Sequence, residues 1–232
     1  MILFERSTVS PIKKTMAACY YISLNYCNLL DRISKLANPI KTIPMHFIYF
    51  IFMVLCLITV AFAESDLRPD INATELERHV HQQINRERQR YGLPNLHNNT
   101  SLTVIARHHS QDMASHQFFS HINPQGESPT DRGLRQHWQV NKQLDSQTQL
   151  TGIAENLFLT HLYDKVITTT ENGFTIKKDY QWNSLEQIAK TIVQGWMNSP
   201  GHRENLLSPR YDQQGIGIAI SGNDVFVTED LF

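Results

Sequence analysis

Residues Phe47 to Ala63, FIYFIFMVLCLITVAFA, form an uncharged run of 17 residues that divides the chain into two unlike parts. The run ends in Ala61-Phe62-Ala63, a small-x-small pattern that export peptidases favour, followed by Glu64-Ser65. It is somewhat short for a membrane span, which needs about 20 apolar residues. Residues 45–63, starting at Met45, therefore read as a leader cut after Ala63, with an uncleaved signal anchor as the alternative. Residues 1–44 are an extension, or lie upstream of a true start at Met45, and carry no functional reading. All three cysteines, Cys19, Cys27 and Cys56, precede residue 64. The part beyond Ala63 can therefore form no disulfide and no Cys-ligated metal site. Its 169 residues suit one domain held by a single core.

Charge separates the two parts as well. Residues 64–232 carry 15 Lys or Arg and 20 Asp or Glu, a net charge of −5 with His neutral. Such a domain lacks the basic footprint of nucleic-acid binding and is weakly repelled by anionic lipid. Membrane attachment is expected only through an uncleaved leader, and a monomer is expected. The address is secreted, periplasmic or extracellular, or a tether at 47–63 with the domain outside.

Beyond a polar linker at 64–73, Leu76, Val80 and Ile84 recur at helical spacing, with Glu75 and Glu77 in the first turn, and the helix ends near Tyr91-Gly92. A second helix, capped at Asn99 or Thr100, carries the stripe Leu102, Ile105, Ala106, His109 and Met113. His109 and His116 read as packed or rim histidines. Residues 118–133 read as loop, and 134–150 as a short helix plus a mobile loop. Residues 160–181 read as an exposed hairpin or insertion. Ser184 caps a strong helix at 184–198, Pro200-Gly201 breaks it, and the tail reads as two strands turning at 221–224. This element order predicts an α+β domain with helices around a small sheet.

Three places combine polar chemistry with exposure: Phe119-Ser120-His121-Ile122-Asn123-Pro124, Ala154-Glu155-Asn156-Leu157, and Trp196 to Leu207. A carboxylate inside an apolar run must be paired, hydrogen-bonded or protonated, so Glu155 needs partners, with His121 and His202 the nearest candidates. No serine sits in a strand-turn-helix elbow, and no HExxH is present.

Taken in order, INRERQRYGLPNL (84–96), LTVIARHHSQDMASHQFFSH (102–121), AENL (154–157), GWMNSPGHRENLL (195–207) and GIGIA (215–219) resemble the CAP superfamily in its bacterial, SCP-like form, over residues 74–232. That family comprises cysteine-rich secretory proteins, antigen 5 and pathogenesis-related 1 proteins. The resemblance implies a three-layer α-β-α sandwich with a small antiparallel sheet flanked by helices. It also implies a cleft of two histidines and two glutamates that holds divalent metal in some members. His121, Glu155 and His202 match three of the four. The fourth position falls on Ser199, so the tetrad is incomplete, with Glu204 as a weak substitute.

Two imidazoles and one carboxylate match the protein ligands of an open Zn²⁺ site. The expectation is binding of a metal ion, a small apolar ligand, a peptide or an envelope component without turnover. The alternatives are a metal-dependent hydrolase of peptides or envelope polymers, and a non-catalytic scaffold in which a His–Glu–His hydrogen-bonded cluster ties two loops to the sheet. The expected cleft lies between the 122–150 loop and the 160–181 insertion.

Overall fold

The computed structural model describes residues 68–232, so the readings made for residues 1–63 lie outside it. Helix α1, Ala73–Arg90, starts where the Asn72 side chain accepts from Glu75 N–H. Helix α2, Thr100–His116, starts where Asn99 accepts from Ser101 and Leu102 N–H, and ends at Gln117 in the left-handed region (φ 55°). Each cap satisfies backbone donors that the first turn leaves unpaired. Strand β1 is His97–Asn98 and helix α3 is Pro129–Arg135. Strands β2, Asn141–Gln143, and β3, Gln149–Thr151, form one small hairpin. Strand β4 is Ala154–His161, and β5, Tyr163–Glu171, pairs with β6, Phe174–Trp182. Helices α4, Leu185–Asn198, and α5, Pro200–Leu206, precede β7, Gln213–Ser221, and β8, Asp224–Leu231.

The main sheet has the order β1-β7-β8-β4, antiparallel except for β1 with β7. Strand alternation gives it two different faces. One carries Gly215, Gly217, Ala219, Phe226, Thr228, Asp230, Glu155 and Leu157 and meets α2. A Cβ on Gly215 or Gly217 would fall 2.1 Å from backbone carbon of Leu102 or Ala106, so helix and strand touch main chain to main chain. Ser110 Oγ completes the seam by donating to the Gly217 carbonyl at 2.8 Å. The other face carries Ile216, Ile218, Val225 and Val227, packed in one core with Leu76, Val80 and Ile84 of α1 and Ile188, Ile192 and Trp196 of α4. The result is the expected α-β-α sandwich.

Two local readings change. The stretch read as loop to Gly133 contains α3, which opens with Pro129 at its first turn and a reciprocal cap between Ser128 and Asp131. The stretch read as short helix and loop at 134–150 holds the β2–β3 hairpin, because Val140 and Leu150 are its only buried apolar side chains and a single pair shows no period.

Candidate functional site

The site forms at the N-terminal end of β4, the outer strand of the main sheet, where the loop after α2 folds back over the α2 face. Left-handed Gln117 turns the chain out of α2. His109, buried on α2, then donates Nε2–H to the Ser120 carbonyl at 3.0 Å. Asn123 Oδ1 accepts the N–H groups of Gln125 and Glu127, which closes the loop on itself. Arg132, 2 % exposed on α3, donates from Nη1 to the carbonyls of His121 (2.8 Å) and Glu127 (3.1 Å). Its Nη2 pairs with Glu155 Oε2. Glu155, 7 % exposed, thus has its charge met by a buried guanidinium, as a carboxylate at that depth requires.

The other Glu155 oxygen, Oε1, lies 2.7 Å from His121 Nδ1. A carboxylate only accepts, so His121 donates Nδ1–H to Glu155 and turns Nε2 toward the half-exposed outer side of the ring. His202 enters from α5. Its carbonyl accepts from Asn156 Nδ2 at 3.2 Å, while Asn205 donates to Asn156 Oδ1 at 2.9 Å. Burial, and then the nearby His121, hold the His202 pKa below the ordinary imidazole value, so the ring is neutral at pH 7.

Under these groups lies a set of acids. Asp230 is the cross-strand partner of Glu155, and Glu229 that of Asn156. Burial, and then the Glu155 charge, push Asp230 well above the usual carboxylate range. Asp230 is therefore the member of this carboxyl pair that burial drives toward its protonated form. Glu229, fully buried on the opposite face, is pushed up to about 8 by burial, opposed by the Asn156 hydrogen bond and the Arg88 charge. Burial likewise lowers the His109 pKa and keeps that ring neutral.

His121 and Glu155 are thus joined directly, with His202 beside them. Ser199 starts α5 without a side-chain capping bond. Glu204 is exposed, and its charge is felt at the Tyr211 hydroxyl. Arg132, Asp230 and Glu229 were not singled out from sequence, whereas His109, read as a packed or rim histidine, is buried. Glu229-Asp230 showed the same anomaly as Glu155, acids in an apolar strand, and the same argument would have found them.

The residues fit a metal only in part. Both Glu155 oxygens are engaged, and among the described residues no three His, Cys, Asp or Glu side chains are arranged to hold a metal ion. What is left to bind is a pair of imidazoles with Glu155 behind one of them. A cavity of about 500 Å³ adjoins the cluster, lined in part by His109, Asp112, Asn123, Glu127 and Arg132. It lies between α2 and the 123–136 segment, and the 160–181 hairpin does not line it.

Comparison with known proteins places these features in a wider set. Residues 81–231 match the sequence pattern of CAP, the cysteine-rich secretory protein family. The uncharacterized protein YkwD of Bacillus subtilis (strain 168) is 30% identical over 147 residues, 63% of this chain and 44% of that protein. The chain thus spans less than half the length of this relative. Among solved structures, an extracellular protein containing an SCP domain from Bacillus anthracis str. Ames is 24% identical with a TM-score of 0.47, over 69% of this chain and 41% of that one. An outer surface protein of Borrelia burgdorferi is 17% identical with a TM-score of 0.47, over 71% of this chain and 98% of that one.

Proposed function

The chain belongs to the cysteine-rich secretory protein (CAP) family, and from that premise we propose that it is an exported binding module without turnover, whose recognition point is the imidazole pair His121 and His202. The observation that carries this is the relay Arg132–Glu155–His121. A buried ion pair fixes the tautomer and direction of a half-exposed ring, the arrangement that outer-shell carboxylates give to ligating histidines. His202, neutral through burial, presents a second ring without a proton to displace. A Zn²⁺ ion held by the two rings would supply a Lewis-acidic point for a peptide or envelope ligand. Phe119 and Ile122, each 48 % exposed beside His121, supply apolar contact. Export is supported by the leader pattern at 47–63. No helix of the described residues is long and apolar enough to cross a membrane.

A second reading rests on the engagement of both Glu155 oxygens: the cluster ties the His121 loop to β4 and binds nothing. Calorimetric titration of Zn²⁺ into residues 64–232, repeated with His121→Ala and His202→Ala, separates the two. The binding module predicts Zn²⁺ uptake in the wild type, abolished in both variants, with melting temperatures little changed. Absent uptake in the wild type, with both variants melting earlier, supports the structural tie instead. Peptide hydrolysis lost together with the metal would move the chain to the hydrolase reading.

A further inference from the structure

The cavity beside the histidine cluster has no part in recognition at His121 and His202. Its volume of about 500 Å³ falls in the range of about 300–1,000 Å³ common to small-ligand sites. The walls come from α2, from the 123–127 loop and from α3 with its capping residue Gln136. Among the described residues that line it, Ile105, 1 % exposed, is the apolar one. The others include four carboxamides, a hydroxyl and three imidazoles. An apolar ligand would strand these polar groups away from water. Net charge selects no ion either, since Asp112 and Glu127 are matched by Arg132 and Arg135.

Two buried side chains of the wall each keep an unmet polar atom. His109, 1 % exposed, donates Nε2–H to the Ser120 carbonyl, and burial keeps its ring neutral, so Nδ1 is an acceptor. Arg132 donates from Nη1 to the His121 and Glu127 carbonyls and from Nη2 to Glu155. Among the described residues, neither His109 Nδ1 nor Arg132 Nε has a hydrogen-bond partner. One acceptor and one donor match a group that itself donates and accepts, a hydroxyl or an acetamido group. Gln111, Ser115 and Gln125, exposed on the same cavity, add side chains that do both as well. Such a lining suits a saccharide, whose hydroxyls each donate and accept. A peptide would instead use a free sheet edge or apolar anchor pockets, and no strand lines this cavity.

We propose that this cavity is a saccharide subsite: a neutral sugar unit enters between α2 and the 123–136 segment, and its hydroxyl or acetamido groups meet His109 Nδ1 and Arg132 Nε–H within and Gln111, Ser115 and Gln125 at the mouth. The proposal deepens the binding-module reading by naming a glycan as the ligand class. It needs no metal, so the Zn²⁺ titration and the test below fail independently. Residues 66–232, a compact unit with its own core, are labelled with ¹⁵N and stripped of metal with a chelator. They are titrated with N-acetylglucosamine, with its β-1,4-linked trimer, and with trialanine. Both sugars shift the amide signals of residues 105–136 and the His109 ring-nitrogen signal saturably, the trimer with a dissociation constant of about 1 mM or below. Gln111→Ala with Gln125→Ala keeps the melting curve and weakens sugar binding at least about tenfold, as the loss of two hydrogen bonds predicts. A trimer held more tightly than the monomer supports a glycan chain as the source, and equal affinities support a free sugar. The proposal is overturned if neither sugar moves those signals, or if the double variant binds as tightly as the wild type. Shifts with trialanine but not with the sugars would assign the cavity to a peptide and also overturn it.

Discussion

Two hairpins of this domain share a local plan and meet opposite fates. β5–β6 turns at Asn172-Gly173, with φ of 51° and 81°, and β7–β8 turns at Gly222-Asn223, with Gly222 at 58°. Both joints are two-residue loops of the kind that matches strand twist, and both arms are rich in β-branched residues. Yet β8 is buried from Val225 to Leu231, while β5 is exposed along nearly all its length. The difference comes from what the strands can accept as neighbours. β7 alternates glycine with isoleucine, so α2 seats on one face and α1 with α4 on the other. β5 offers Thr168, Thr169 and Thr170 and, among the described residues, is exposed along nearly its whole length. Turn chemistry makes a hairpin; side-chain size on each face decides whether a sandwich closes over it.

The harshest way to break the contrast is at the glycine seam. Gly217→Val drives a side chain into the α2 backbone, where even a Cβ lies 2.1 Å from the Ala106 carbonyl carbon. The expected cost is about 4 kcal/mol or more, read by urea unfolding, because main chain cannot yield as a side chain can. The corresponding Gly173→Ala in the exposed turn should cost much less, about 1 kcal/mol, from the left-handed φ alone.

A matched pair sharpens it. Ile216 is 1 % exposed in β7 and Ile167 is 47 % exposed in β5. Ile216→Ala should lose about 3 kcal/mol and Ile167→Ala less than about 0.5 kcal/mol. Equal losses would mean that β5–β6 is buried in solution, against the exposure described above.

The same contrast explains what could be read from the chain. The stripes at Leu76, Val80, Ile84 and at Leu102, Ile105, Met113 are long enough to show a 3.6-residue period, and the caps at Asn99 and Ser184 carry the local chemistry of a helix start. Ordered motifs then assigned the sandwich. Helix α3 and β2–β3 were too short and too polar for any period to register. In the site, His121 and Glu155 were legible because a loop histidine and a stranded carboxylate are each anomalous. Arg132 was not, since nothing in PTDRGLR marks which side chain α3 will bury. Its burial is set by Glu155, 23 residues away.

A pH-dependent contrast lies in the buried acids of the β7–β8 hairpin, for which β5–β6 has no counterpart. Glu229 titrates at about 8 when folded against an ordinary value of 4.5. Between those values the folded state holds a proton that the unfolded chain has released. Stability on this account is fully present below about pH 4.5 and falls as pH rises toward about 8, by at most about 1.4 kcal/mol per pH unit. Glu229→Gln keeps the shape and an acceptor for Asn156 Nδ2 but cannot ionise. Urea unfolding at intervals from pH 5 to 8 should show the wild type losing stability more steeply than the variant, and the two curves should separate most at the alkaline end. Parallel curves would mean that Arg88 and Asn156 already hold Glu229 ionised, and that the acid on this face is paired as Glu155 is on the other.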